Sequence, residues 1–547
     1  MQSSTENTDI LSLDSGIKME KKLSIIIKAN QDYIRHYGEY EKTNALMLNS
    51  FFDSISDVYI PLLRMIKKLE EDGIPCRFGL VLPPLLCTLF ADASLQNMYL
   101  ENLDKRIELG KKELERVGDE EIQEIIKDTI AKYEKLKLEY TEIYNKDLIS
   151  AFSACMTRGT IELLGTCGTD LFIPHYADLK EIISAQIESG LHAYKQLFGN
   201  IPDGFWLPAF GYMTGVEKLI KAYGYTYTVM DARSLLFSEN CPETGIFYPV
   251  RTENSLVVLA RDSRLPAQIN GEKGFARKCA YRNDNRDIGY ELSAEELQPV
   301  IEAGSARYST GYKYWNRCFD GSNNGIYNRA AALDQAQKDA ASFVEEKASL
   351  LDEVEKCIGQ KDYISYVCAF ESDELFKNWN ESVEFLEYIF RNAQKQGLSV
   401  VSGNQLIEKQ YSLTKFTPYY SAGMGDGYGE NLLSSKNCWM IRHIRKACER
   451  MIDLADRFPN DTGLKTRLLN LGAKELMLAQ SLLLAKTIDN SVYPELAENR
   501  FKDSINAFTA VFDSLGSNTV STEWLTTMEM HDAIFPWMNY RIFSKKH

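Results

Sequence analysis

Two carboxylates, Glu371 and Asp373, follow the apolar run of residues 364–370, Ile-Ser-Tyr-Val-Cys-Ala-Phe. Such a run, closed by acids, reads as a buried strand that delivers polar side chains to the C-terminal mouth of a parallel α/β barrel. Two carboxyl groups held roughly 5 Å apart can carry out retaining glycosyl transfer, one as nucleophile and one as general acid and base. The bland alternative is that these acids cap or solvate the start of the following helix, where negative charge is favoured. A second strand-like segment, residues 204–208, runs into Ala209, Phe210, Gly211 and Tyr212, so the position just past its end carries a methyl group, and Glu217 follows eight positions later on an apparent helix.

Other residues suit a sugar ring. Trp206 and Tyr212 supply aromatic faces, and Arg261 with Asp262 at another strand end, and Arg286, Asp287 and Tyr290 in a later segment, supply hydrogen-bonding groups. Equally, Trp206 can be core and Arg286 can pair with Asp287 to brace a loop, since tryptophan and arginine serve both purposes. Metal chemistry finds little support. The six histidines, at 36, 175, 192, 443, 531 and 547, do not pair at ligand spacing, so no metal or other cofactor is expected. Eleven cysteines lie scattered without a Cys-x-x-Cys pair, which argues against a zinc ribbon or a disulfide framework and for most of them being reduced, buried thiols.

The elements that would hold these groups alternate. Residues 23–28 and 76–82 read as strands, with helical spacing of Ile60, Leu63, Ile66 and Leu69 between them, and strand-helix-strand order implies parallel pairing. Strand-like runs return at 160–165, 204–208, 225–229, 256–261 and 364–370, and the alternation continues to about residue 410. From about 95 to 157 long charged helices interrupt it, read as a solvated helical hairpin inserted in the barrel. Beyond a loop rich in glycine and tyrosine, residues 419–429, helical periodicity in 440–454 and in 468–482 predicts a C-terminal bundle.

The 547 residues suffice for a barrel-sized unit and an appendage. A net charge of -15 disfavours nucleic acid and acidic membranes as partners and suits a neutral ligand. The polar first residues and the lack of any run of roughly 18 apolar residues point to a cytoplasmic protein rather than a secreted or membrane-bound one.

Across residues 23–545 the chain resembles the α-glucan branching enzymes of glycoside hydrolase family 57. The nucleophile pattern of that family, close to WLPECAY, is matched by Trp206 to Tyr212 with Ala209 in place of the glutamate. The acid pattern, close to FDAELFGHWW, is matched by residues 370–379, where either Glu371 or Asp373 could supply the acid. The first-strand pattern, close to HAHLPYVRH, becomes Lys28-Ala29-Asn30 and continues to Tyr33, Arg35 and His36, and in a pattern close to IEIITCAATHGFLP the pocket histidine becomes Asp170. A Ser-Asp-Trp-Pro-Phe turn becomes Ser481-Leu482-Leu483-Leu484-Ala485, and a stacking tryptophan becomes Leu432. Gly274, Arg261, Tyr290 and the C-terminal segments around Asn437 and Asp532 are retained. The resemblance implies a (β/α)7-type barrel over residues 23–415 behind a tail of 22 residues, a helical domain over 416–547, and α-glucan or maltooligosaccharide as ligand, with a protein partner as a further possibility. It also implies substrate contacts from Trp206, Tyr212, Arg261, Gly274, Tyr290 and Asp170, in a cleft whose chemistry has lapsed. The alternatives are an active glucanotransferase using a displaced carboxylate, Glu371, Asp373 or Glu217, the last of which would have to swing back toward the position of Ala209, and a purely structural scaffold.

Overall fold

The β-branched runs become strands because both of their faces are covered: β1 Glu20–Lys28, β2 Phe78–Val81, β3 Ile161–Leu163, β4 Gly204–Trp206, β5 Tyr227–Asp231, β6 Val250–Arg251, β7 Val257–Arg261, β8 Tyr363–Glu371 and β9 Leu398–Val401. The computed structural model describes residues 19–34, 44–302, 304–318, 325–408, 412–490 and 493–545. Seven strands run parallel in the order β3-β2-β1-β8-β7-β5-β4, with β9 added beside β1 and the antiparallel β6 beside β7. Just past β3, Gly165 bridges Phe205 of β4. Its N–H donates to the Gly204 carbonyl at 2.9 Å and its carbonyl accepts from the Trp206 N–H at 2.8 Å, which nearly closes the sheet into a seven-stranded barrel. β1 and β8 pair residue for residue, from Glu20 opposite Tyr363 to Lys28 opposite Glu371. The parallel strands therefore bring their C-terminal ends to one mouth.

Between β1 and β2 the helix Ile60–Glu71 buries Ile60, Leu63, Ile66 and Leu69 on one face, preceded by a wider turn at Ile55–Tyr59. The inserted helices Ala93–Arg116 and Glu120–Leu138 start at the aspartate caps Asp92 and Asp119. They are less solvated than their charge suggests. Arg106 is buried and pairs with Asp53 at 2.7 Å, and Tyr99, Leu103, Ile126 and Leu136 pack inward. Helices Trp439–Arg457, Leu464–Ala479, Leu482–Asn490, Pro494–Ser517 and Thr522–His531 make the C-terminal part helical.

The periodicity that runs to Leu482 in the sequence is cut at Ala479. The loop after β3 takes over there: Thr169 Oγ1 donates to the Met477 carbonyl at 2.8 Å and the Leu482 N–H donates to the Asp170 carbonyl at 2.7 Å. Helix ends leave carbonyls and amides to be satisfied from outside, and these bonds turn the chain so that Leu482 and Leu483 face the barrel mouth. The expectation that most cysteines are reduced holds, with one pair apart. Cys279 and Cys318 form a disulfide, while the other nine are free. No described helix is long and apolar enough to cross a membrane.

Candidate active site

At the barrel mouth Lys28, the last residue of β1, lies among three acceptors. Its Nζ donates to Asn30 Oδ1 at 2.6 Å, to Asp170 Oδ2 at 2.9 Å and to Glu371 Oε2 at 3.3 Å. The side chains of Lys28 and Asp170 are 2% and 5% exposed, so this ion pair is withdrawn from water. Burial alone would lower the lysine pKa, but the facing charges of Asp170 and Glu371 win and raise it. Burial also holds the Asp170 carboxyl above the usual carboxylate range, with Lys28 opposing it. The other oxygen of Glu371 accepts from Trp206 Nε1 at 3.3 Å. Both oxygens of Glu371 are thus engaged.

A second layer holds the first. Glu371 caps the short helix Ser372–Leu375, and its N–H donates to Glu374 Oε2 at 2.9 Å. Glu374 in turn accepts from Arg261 Nη1 at 3.0 Å, and Arg261 Nε donates to the buried Asp231 at 3.3 Å. The Arg261 guanidinium lies 3.8 Å over the ring of Phe210. Burial raises the Glu374 pKa against the pull of Arg261. Asp373 is different: it points to Lys486, whose Nζ donates to Oδ2 at 2.9 Å, and that ammonium outweighs burial and lowers the Asp373 pKa.

Ala209 sits where β4 gives way to a tight turn. Its φ of 50° and that of Phe210, 52°, are left-handed, a conformation that costs an L-residue roughly 1–2 kcal/mol. The turn is pinned by a bond from the Gly423 N–H to the Ala209 carbonyl at 2.7 Å. Around the methyl group pack Phe172, Ala422, Leu432, Leu482 and Leu483. The aliphatic residues that stand where the family pattern has a polar turn and a tryptophan therefore form one apolar wall. Between this wall and the charged network lies a cavity of about 200 Å³, bordered by Lys28, Asn30, Ala209, Glu371, Glu374 and Lys486. It is smaller than the roughly 300–1,000 Å³ of ordinary small-molecule sites.

The structure brings Glu371, Asp170, Trp206 and Arg261 into this network, with Asp373 at its edge. Trp206 is fully buried and reaches the cleft only through its indole N–H. Tyr212 is also buried and donates to Glu217 Oε2 at 3.0 Å, so Glu217 is taken up locally. Gly274 begins the turn Phe275–Arg277, and Tyr290 is 53% exposed; neither borders the cavity. Arg286 pairs with Glu291 at 2.7 Å instead of with Asp287, whose carboxylate accepts from Gly289, Thr310 and Gly311 amides at 2.8 Å. Asp262 accepts from Arg264 and Tyr366. His36 and Arg35 lie outside the described residues. Among the described residues no cluster of three or more His, Cys, Asp or Glu is arranged to hold a metal.

Sequence reasoning did not single out Glu374 or Lys486, the latter a helix lysine with no motif around it. An acid three residues past Glu371, in capping-box spacing, was a signal for the first. Nothing in the sequence signals the second.

Residues 24–420 match the model of glycosyl hydrolase family 57, and residues 443–543 match that of the C-terminal region of 1,4-alpha-glucan branching enzyme. The chain is 22% identical over 492 residues to a 1,4-alpha-glucan branching enzyme of Thermococcus kodakarensis, covering 85% of this chain and 69% of that protein. Among solved structures it resembles the alpha-amylase AmyC of Thermotoga maritima, with a TM-score of 0.86, 27% identity, and 96% and 99% of the two chains covered. It shares its fold with the branching enzyme of Pyrococcus horikoshii, with a TM-score of 0.84, 19% identity, and 96% and 97% covered. With well over half its length matched to the family model and its barrel shared with such proteins, this chain belongs to glycosyl hydrolase family 57.

Proposed function

We infer that this family member binds α-glucan without processing it, as a catalytically impaired relative of branching enzymes with a binding or regulatory role in carbohydrate metabolism. One observation carries the reading. Glu371, Glu374, Asp170 and Asp373 are each engaged by a cation or a fixed donor, and the turn after Pro208 presents a methyl group. Retaining chemistry needs two carboxyls on opposite sides of the anomeric carbon. Glu371 and Glu374 approach from the same strand end, and Glu374 spends its oxygens on Arg261 and on the Glu371 amide. That arrangement disfavours an enzyme with a displaced carboxylate. The ligand class is suggested by the relatives, a branching enzyme and an alpha-amylase.

Two measurements test this. Maltoheptaose at about a hundred times its Kd should add about 2.7 kcal/mol to the stability of the folded protein, read as a rise in melting temperature. Amylose incubated with the protein should keep its iodine spectrum and gain neither reducing ends nor α-1,6 linkages. Product formation that disappears in the Glu371→Ala and Asp373→Ala variant would refute the reading.

A further inference from the structure

We propose that Phe237, Tyr419 and Tyr420 form an external platform that holds an α-linked glucan chain beside the cleft. This rests on the α-glucan-binding reading and extends it to a place outside the barrel mouth. The three rings are 58%, 42% and 53% exposed, although large apolar surfaces are ordinarily withdrawn from water. They touch in series, Phe237 against Tyr419 and Tyr419 against Tyr420, each pair with ring centres 6.2 Å apart and planes near 80°.

Looseness of the loop does not explain the exposure. The Tyr419 N–H donates to the Ser234 carbonyl at 2.9 Å, the Tyr212 N–H donates to the Ser421 carbonyl at 2.8 Å, and the hydroxyls of Ser234 and Ser421 are bonded to each other. Ser421 and Ala422 are buried straight after the exposed tyrosines. The rings are therefore held outward by a fixed backbone, and ligand binding would forfeit little conformational entropy.

Continuity with the cleft identifies the occupant. Gly423, three residues beyond Tyr420, borders the cavity and is bonded to Ala209, which sets the platform within about 10 Å of the cleft along the chain. A pyranose offers a face of C–H groups to an aromatic ring while its hydroxyls stay in water, and a tyrosine matches both halves. Successive rings at near-right angles make a stepped surface. It suits the curling α-1,4 chain, whose sugars turn progressively, and not the flat ribbon of a β-1,4 glucan. A cleft of about 200 Å³ leaves most of a long chain outside, where such a platform would hold it.

The test is native electrophoresis through gels containing amylopectin or hydroxyethyl cellulose, comparing the wild type, the triple variant Phe237→Ala, Tyr419→Ala, Tyr420→Ala, and the cleft variant Asn30→Ala, Asn431→Ala, whose two asparagines both border the cavity. Retardation of the wild type by amylopectin alone is expected, with affinity reduced about tenfold or more in the triple variant and largely kept in the cleft variant. Equal retardation of wild type and triple variant overturns the platform and leaves the glucan-binding reading standing. No retardation of the wild type overturns both. A dimer in sedimentation that the triple variant dissolves assigns the rings to a second copy of the chain, and so overturns the proposal. A measurement on the unaltered protein covers a misfolded variant: maltoheptaose should protect Tyr419 and Tyr420 from iodination, and unchanged labelling refutes the platform.

Discussion

Replacing Lys28 by methionine keeps the length of the side chain and removes the one ammonium shared by Asp170 and Glu371. The two carboxylates, 5% and 13% exposed, then face each other without the cation that bonds both. Removing one member of a buried ion pair costs about 3–5 kcal/mol, chiefly the penalty of the charge left behind. Here Asp170 can escape by taking up a proton, since burial already holds its pKa above the unfolded value. A carboxyl with a raised folded pKa contributes stability that is present below its unfolded pKa and lost as pH rises through the folded one. The deficit of the Lys28→Met variant should accordingly be largest near pH 8 and shrink toward about pH 5. Lys28→Met, Asp170→Asn and the double variant, followed by urea denaturation at both pH values, form a thermodynamic cycle. The double variant should be more stable than the sum of the single losses predicts, by at least about 1.5 kcal/mol. Additivity within about 0.5 kcal/mol, or a deficit that ignores pH, would refute the account of a shared buried cation.

Ala209→Glu alone is expected to leave amylose untouched, because Leu482 and Leu483 still wall the position and Glu371 still serves Lys28; newly formed reducing ends would contradict this. Ala209→Gly should be neutral or stabilising by up to about 1 kcal/mol, since glycine relieves the left-handed turn, whereas a clear loss of stability would show that the methyl contact outweighs the strain. Leu483→Ala should cost about 2–5 kcal/mol while widening the cleft, so calorimetry with maltose should show tighter binding in the less stable protein. Glu162, buried against Tyr227 and the Asn404 amide, has its pKa pushed up by burial from 4.5 to about 7. The wild type should therefore lose on the order of 3 kcal/mol as pH rises across that interval, and Glu162→Gln should flatten the slope of stability against pH; an unchanged slope would count against this role.

Strand ends were largely legible. The run at 364–370 lies within β8, Tyr363–Glu371, and the run at 256–261 contains β7, Val257–Arg261, because doubly covered strands must be continuously apolar. The first strand starts at Glu20, three residues early, since Lys21 has ion-pair partners in Asp352 and Glu355 that local sequence does not reveal. The helix break at Ala479 was hidden for the same reason: Thr169 and Asp170, some three hundred residues away, provide it. In the cleft, the exchange of histidines for Lys28 and Asp170 could be read position by position, but that the two new side chains bond each other is a fact of barrel closure. Lys486 reaches Asp373 only because the helix Leu482–Asn490 docks over the mouth.

The pairing of Lys28 with Glu371 also bears on how the barrel assembles. These residues are opposite one another at the end of the nine-residue ladder between β1 and β8, which joins segments 343 positions apart in the chain. Parallel pairing across so long a separation is slow, and β8, apolar from Val367 to Phe370, offers little there to tell one alignment from the next. A slip of one residue would set Phe370 or Ser372 opposite Lys28 and leave the buried ammonium with one carboxylate partner, Asp170, in place of two. The Lys28–Glu371 link thus marks the correct alignment of β1 with β8, a role that is independent of whatever chemistry the cleft performs.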